Sequence, residues 1–158
     1  MQQISIIRIN EEQANLVFTL FDQYRVFYQQ ASDIAAAEKF IRQRLEKKES
    51  VIFVALDEAT RQPVGFTQLY PLYSSVRMQQ NWLLNDLYVD QSHRKKGIGE
   101  GLIRAAMDFA RGHHASYVEL ETAVNNLVAQ SLYEQIGFTK LAPETDFITY
   151  RIALTHNN

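Results

Sequence analysis

At 158 residues with 46% apolar side chains, the chain has the length of one domain and enough apolar material to bury a core without staples. A net charge of −2 gives no global reason to expect a nucleic-acid or membrane partner, and the absence of cysteine removes disulfides, thiolate nucleophiles and Cys-ligated zinc together. No basic-then-apolar leader is visible at the start, and no apolar run approaches the roughly 20 residues of a membrane-spanning helix, so a cytoplasmic protein is expected.

In chain order, Ile4, Ile6, Ile7 and Ile9 predict a short strand. From Glu11 to Tyr28 the residues Ala14, Val17, Phe18, Phe21, Tyr24 and Tyr28 recur at three- and four-residue steps, a helical stripe with Asn10 as its N-cap. A second helix is expected from Asp33, with Ile34, Ala37, Phe40, Ile41 and Leu45 on its buried face. Val51–Leu56 and Phe66–Tyr70 read as a hairpin joined through a polar stretch and Pro63-Val64-Gly65. A long apolar strand, Trp82–Val89, follows. Then come polar residues to Lys96, a helix from Gly97 to Arg111, and a strand from Tyr117 to Thr122. Asn125 or Asn126 caps a further helix that Gly137 stops. Phe138–Leu141 and Phe147–Leu154 are expected to finish the chain as strands. With no internal repeat and no long linker, the reading is one mixed α/β domain over residues 1–158.

Arg94-Lys95-Lys96-Gly97-Ile98-Gly99 lies between the long strand and its helix. A helix N-terminus offers unpaired N–H groups and partial positive charge, which suit phosphate. Gly97 and Gly99 let a diphosphate approach the backbone, and Arg94, Lys95 and Lys96 add charge at the mouth. The segment lacks the Gly-Lys-Ser/Thr ending of a P-loop and the third glycine of the dinucleotide fingerprint. Read alone, it is either a phosphate site or a basic turn joining two elements.

The same residues match the Arg/Gln-x-x-Gly-x-Gly/Ala pattern of the GNAT acetyltransferases, and the segment resembles that family's pyrophosphate loop. Asn85 to Asp90 resembles the family's fourth strand. Asn126-Leu127-Val128-Ala129-Gln130-Ser131-Leu132-Tyr133-Glu134-Gln135-Ile136-Gly137-Phe138 resembles its second hallmark, an Asn before a Leu-Tyr-Glu helix end and a Gly-Phe turn. One departure is Gln91-Ser92, where many members carry a proline. Gly65–Pro71 and Trp82–Leu87 are similar to a subgroup that includes small yeast acetyltransferases described for histones, polyamines and D-amino acids.

The resemblance implies a mainly antiparallel central sheet with flanking helices, splayed between its fourth and fifth strands. The cleft would take the pantetheine arm of acetyl-CoA along the backbone of Leu87, Tyr88 and Val89. The diphosphate would rest on Arg94, Lys95, Lys96, Gly97, Ile98 and Gly99, and Asn126 would contact the arm or simply cap its helix. It further implies direct attack by an amine on the thioester. Tyr133 takes the place of the general acid, since a phenol of pKa ≈ 10 stays protonated at neutral pH and can protonate a leaving thiolate; otherwise it is a core aromatic. Asp86 is the first candidate for the base, acting directly or through water, and Glu121 the second; either can be an ordinary strand carboxylate. Tyr24, Tyr28 and Tyr70 are the expected acceptor-binding residues, because aromatic faces attract ammonium; core packing is the alternative for each. The acceptor is expected to be a small-molecule amine, with a protein lysine or N-terminus as the alternative. No metal and no nucleic acid are expected, and a homodimer through the late aromatic strand Phe147–Tyr150 is. The rival readings are a nucleic-acid module resting on His93–Lys96 and an acyl-CoA sensor without turnover.

Overall fold

The computed structural model describes residues 3–143 and 146–156. These pack as two units, Met1–Ala123 and Val124–Asn158. In the first, β1 (Ile4–Arg8) leads to Asn10. The Asn10 side chain accepts the Gln13 N–H at 3.2 Å while Gln13 Oε1 accepts the Asn10 N–H at 3.1 Å, a capping box that satisfies two orphan donors at once. It opens a 3-10 helix, Glu11–Leu16, and α1 (Phe18–Phe27) begins only after Val17. The single helix expected from Glu11 is therefore two pieces. The tighter i→i+3 bonding persists to Val17, whose N–H donates to the Ala14 carbonyl, and it buries Ala14 and Val17 completely.

Asp33 caps α2 (Ile34–Glu46) by accepting the Ala36 N–H. Ala37, Ile41 and Leu45 are buried as the spacing predicts, but Ile34 and Phe40 are exposed. Phe40 flanks the core instead, stacking on Phe21 at 5.7 Å and carrying the Arg44 guanidinium on its ring.

The strands β2 (Val51–Asp57), β3 (Pro63–Ser74), β4 (Gln79–Val89) and β5 (Val118–Glu119) join β1 in one sheet, in the order β1-β2-β3-β4-β5. The first three pairings are antiparallel and β4–β5 is parallel. Alternation sorts β2 between two layers. Ile52, Val54 and Leu56 pack with Val17, Phe21 and Ile41 of the α1 and α2 side. Ala55, with Phe53 beside it, packs with Ile98 and Leu102 of α3 (Ile98–Gly112). Gly101 lets α3 lie close on the sheet, since a Cβ there would stand 2.9 Å from Ile6 Cδ1.

The strand expected over Tyr117–Thr122 is only two residues long. Its start is tied by Asn81, which is buried in β4. The Asn81 Oδ1 accepts the N–H groups of Ser116 at 2.7 Å and Tyr117 at 3.2 Å. After Leu83 and Glu119 the two strands no longer pair.

In the second unit, Asn126 caps α4 (Leu127–Ile136) by accepting the Ala129 N–H. Gly137 ends it at φ 123°, a left-handed conformation that L side chains rarely adopt. The strands expected at Phe138–Leu141 and Phe147–Leu154 are not formed: the described residues there belong to no strand of the sheet. A strand exists only through pairing with another, and residue type cannot supply the partner. Leu141, Phe147, Ile148, Tyr150, Ile152 and Leu154 are exposed, so the strand edge on which the expected homodimer rested is missing. Among the described residues no helix is long and apolar enough to cross a membrane.

Asn81→Ala should cost about 2–3 kcal/mol, because it leaves two partly buried backbone N–H groups without their acceptor. Urea unfolding of the variant against the parent chain measures this.

Candidate active site

Where β4 leaves β5, a cavity of about 420 Å³ opens between Tyr24 of α1 and Tyr28 at its C-cap, Leu83, Leu84 and Asn85 of β4, and Glu121, Thr122 and Ala123 after β5. From Leu84 to Val89 β4 pairs with β3 alone. Its other edge is an unpaired strand edge of the kind that an extended molecule can line.

β4 is also irregular here. Asp86 stands opposite Gln68, but Leu84 stands opposite Leu69, so Asn85 is an extra residue. Such a bulge bends its strand and re-aims the neighbouring side chains. Asn85 is exposed at the cavity while Asp86, next to it, is 3% exposed.

The Asp86 carboxylate is surrounded by donors. Gln68 Nε2 donates to Oδ2, and Asn85 Nδ2 donates to Oδ1 at 2.7 Å. The Tyr24 phenol donates to the Asn85 carbonyl at 3.4 Å and lies against the carboxylate, where it favours the charged form. Burial pushes the Asp86 carboxyl above the usual carboxylate range, and the bonds from Gln68, Asn85 and Tyr24 oppose that rise. Burial, and next the negative charge of Asp86, push the Tyr24 phenol up. The same two causes in the same order push Tyr70 to about 12. Both phenols thus remain protonated beside the carboxylate.

Tyr24 and Tyr28 meet edge to face at 5.0 Å, and Tyr28 is 57% exposed. Glu121 is exposed in the opposite wall. Tyr70 is not part of the cavity lining; it lies half-buried on β3 and interacts with Asp86. Of the two carboxylates expected near the chemistry, Glu121 therefore faces the cavity and Asp86 sits behind Asn85 and Tyr24.

At the exit of β4, Leu87 and Val89 pack toward α3, and Tyr88 toward α1 and α2. Lys95 (φ 63°) and Gly97 (φ 80°) both take left-handed conformations, and Gly97 is the N-cap of α3. A Cβ on Gly97 would meet no atom within 4 Å. The space above the loop is open, and the first N–H groups of a 15-residue helix face it without intrahelical partners. This cradle fits a diphosphate. Arg94 behaves otherwise than a free charge at the mouth: its Nε donates to the Val89 carbonyl at 2.9 Å, and its guanidinium lies over Phe27 (5.6 Å) and Tyr88 (5.4 Å). In place of the proline absent at Gln91-Ser92, Asp90 accepts the Ser92 hydroxyl and bonds His93 Nδ1 at 3.0 Å.

Asn126, the N-cap of α4, and Tyr133 within that helix belong to the second unit. The Tyr133 ring meets Phe138 edge to face at 6.0 Å, and its carbonyl accepts the N–H groups of Gly137 and Phe138. Sequence reasoning missed Gln68, Asn85 and Asn81. No local pattern marks them, because their importance arises from strand register. Among the described residues no group of three His, Asp or Glu could hold a metal ion.

A mixed sheet that parts at its fourth strand, with an open helix N-terminus at that strand's exit, is the arrangement that the resemblance implies for a CoA-using acyltransferase. The chain belongs to the acetyltransferase (GNAT) family, whose model matches residues 16–138, and it is an acetyl-CoA-dependent N-acetyltransferase. It is 44% identical to the uncharacterized N-acetyltransferase YhfO of Bacillus subtilis, over 93% of this chain and 95% of that protein. The crystal structure of a probable acetyltransferase, 36% identical, superimposes with a TM-score of 0.84 over 97% of this chain and 99% of the other. The aminoglycoside N-acetyltransferase AAC(6')-Iy in complex with CoA shares the fold, at a TM-score of 0.76 and 18% identity over 96% and 95% of the two chains.

Proposed function

We propose that the protein transfers the acetyl group of acetyl-CoA to the primary amine of a small molecule. The observation that carries this reading is the cavity at the parting of β4 and β5, with aromatic faces, one exposed carboxylate and a buried carboxylate behind its wall. Its volume of about 420 Å³ is in the range of small-molecule sites. Aromatic faces and acidic groups favour an ammonium. The fold is shared with an aminoglycoside N-acetyltransferase, which supports a small-molecule acceptor.

Acetyl-CoA supplies the acetyl group as a thioester. The backbone from Leu87 to Val89 holds the pantetheine arm, and the loop from Arg94 to Gly99 takes the diphosphate on helix N–H groups, with Lys95 and Lys96 adding charge and Arg94 bracing the loop from behind. Asn126 caps α4 and orders the start of that helix. A backbone N–H of β4 stabilises the charge that develops on the thioester oxygen.

Tyr24 and Tyr28 receive the ammonium, Tyr70 supports the carboxylate behind them, and Glu121 attracts the incoming cation. Asp86 takes one proton from the ammonium. Because Asp86 is 3% exposed, this proton travels through water or the Tyr24 hydroxyl. The freed amine attacks as the bond from carbon to sulfur breaks, and the Tyr133 phenol protonates the departing sulfur. The remaining surplus proton on nitrogen restores the phenol, and Asp86 releases its own proton to solvent. One proton is produced per turnover.

Release of CoA, followed with polyamines, both amino-acid enantiomers, aminoglycosides and basic peptides as acceptors, tests the reading. Turnover confined to peptides would replace it by protein acetylation, and no turnover with retained CoA binding by a sensor.

Gly99→Glu should leave the fold intact, since its Cβ makes only ordinary contact with Val89 at 3.9 Å. CoA affinity should fall by about tenfold or more, because a carboxylate then meets the diphosphate at the helix N-terminus. Isothermal titration with CoA reads the difference. For Tyr133→Phe, thermal stability and acetyl-CoA affinity should stay near those of the parent while turnover falls about 10²–10⁴-fold. The deficit should shrink with an acyl donor whose leaving thiol is more acidic, and stopped assays with both donors measure it.

A further inference from the structure

Gln68 is an amide in the middle of β3, fully buried. An amide buried without partners costs several kcal/mol, so such a group is retained only when its bonds are made. Both ends of Gln68 are engaged. Its Oε1 accepts the Ser50 hydroxyl at 2.8 Å, and its Nε2 donates to Asp86 Oδ2. Ser50 is itself buried just before β2. The juxtaposition follows from the register, which sets Gln68 directly across from Asp86 on one face of the sheet.

We propose that Gln68, oriented by Ser50 behind it, is a positioning residue that holds the Asp86 carboxylate as a two-oxygen acceptor and follows its change of protonation. The inference rests on the reading of Asp86 as the base. With Ser50 donating to Oε1, the amide can only present N–H to Asp86. Asn85 presents a second N–H to the other oxygen at 2.7 Å, so this arrangement suits the ionised carboxylate. The reversed amide would set Oε1 against Oδ2 and requires a proton on Asp86. A serine hydroxyl can donate or accept. When Asp86 gains its proton, the amide can therefore turn over and the Ser50 hydroxyl can rotate to accept from Nε2. Neither state leaves a buried polar atom unpaired. An apolar residue at position 68 can serve neither state, and a fixed donor only the ionised one.

The titratable groups that face Asp86 are Tyr24 from α1 and Tyr70 from β3, with Arg44 of α2 and Glu49 acting on Tyr70. None of these is an ion pair with the carboxylate; hydrogen bonds are what oppose the upward push of burial. Removing the Gln68 donor therefore raises the proton affinity of Asp86. A base works as its carboxylate, so the acidic limb of kcat/KM must then move to higher pH.

The test compares the parent chain with Gln68→Met, Ser50→Ala and Asp86→Asn. Carbon NMR of protein labelled at aspartate carboxyls gives the Asp86 titration directly, assigned by its loss in Asp86→Asn. In parallel, kcat/KM is measured against pH with the amine that turns over fastest in the acceptor screen. In Gln68→Met, which keeps the volume and loses the donor, the proton affinity of Asp86 should rise about tenfold. The acidic limb should move with it, and KM for acetyl-CoA should stay within about twofold. Ser50→Ala should change both quantities in the same direction by less, and it carries the comparison if Gln68→Met does not fold. An Asp86 titration unmoved in the folded variants overturns the proposal and leaves Gln68 a packing residue. If Asp86→Asn turns over normally, the reading of Asp86 as the base fails instead, whatever the resonance does.

Discussion

β4 and β5 run side by side for two residue pairs, Trp82–Val118 and Leu83–Glu119, and then separate. Backbone N–H and C=O groups inside a protein need partners, and an open strand edge in the middle of a sheet is normally covered or paired. Here it lies beside a cavity walled by α1 and the segment after β5. Everything proposed for the chemistry depends on that separation. It leaves strand backbone available to an extended ligand, and it opens the cavity at the same place. Asn81 limits the pairing from one side by tying Ser116 and Tyr117 to β4. The bulge at Asn85 bends β4 from the other.

The second constraint is the cost of burying a carboxylate beside this opening. Asp86 is isolated from water by α1 and the sheet, and among the described residues no cation offsets its charge; the compensation is a ring of neutral groups from Gln68, Asn85 and Tyr24. Neutral donors stabilise a charge less completely than a guanidinium would. The carboxyl is left with a raised proton affinity, so it holds a proton more readily than an exposed aspartate. That is the property a base needs if it is to accept a proton from an ammonium at moderate pH. A salt bridge at the same position would have fixed the charge and lowered that proton affinity.

The loop at the head of α3 shows a division of labour among its basic residues. Arg94 lies over Phe27 and Tyr88 and bonds the Val89 carbonyl, joining the end of β4, the end of α1 and the loop. Its planar, delocalised cation suits such stacking, which an ammonium performs less well. Left-handed turns at Lys95 and Gly97 then aim the helix N-terminus at open space. With Asp90, Ser92 and His93 knotting the entry, this chain stiffens the approach without a proline.

Elements with strong local codes were legible in the sequence. The caps at Asn10 and Asp33, the stop at Gly137, the apolar run of β2 and the basic Gly-x-Gly before α3 all act within a few residues, so residue order alone carries them. The family, too, followed from two short motifs in their proper setting. What the sequence could not contain was the outcome of pairing between distant segments. Tyr117–Thr122 and Phe147–Leu154 have the composition of strands, yet two residues of the first and none of the described residues of the second join the sheet, because a strand is made by its neighbour. The facing of Asp86 is of the same kind. Its side chain, the donors around it and the role open to Gln68 depend on one extra residue at Asn85, and a shift of one in register exchanges the two faces of a strand. The sequence by itself determined where the helical segments lie, which residues cap them and what chemistry was on offer. Only the tertiary structure decided which of these groups were buried together, since that follows from long-range register, and no local pattern encodes it.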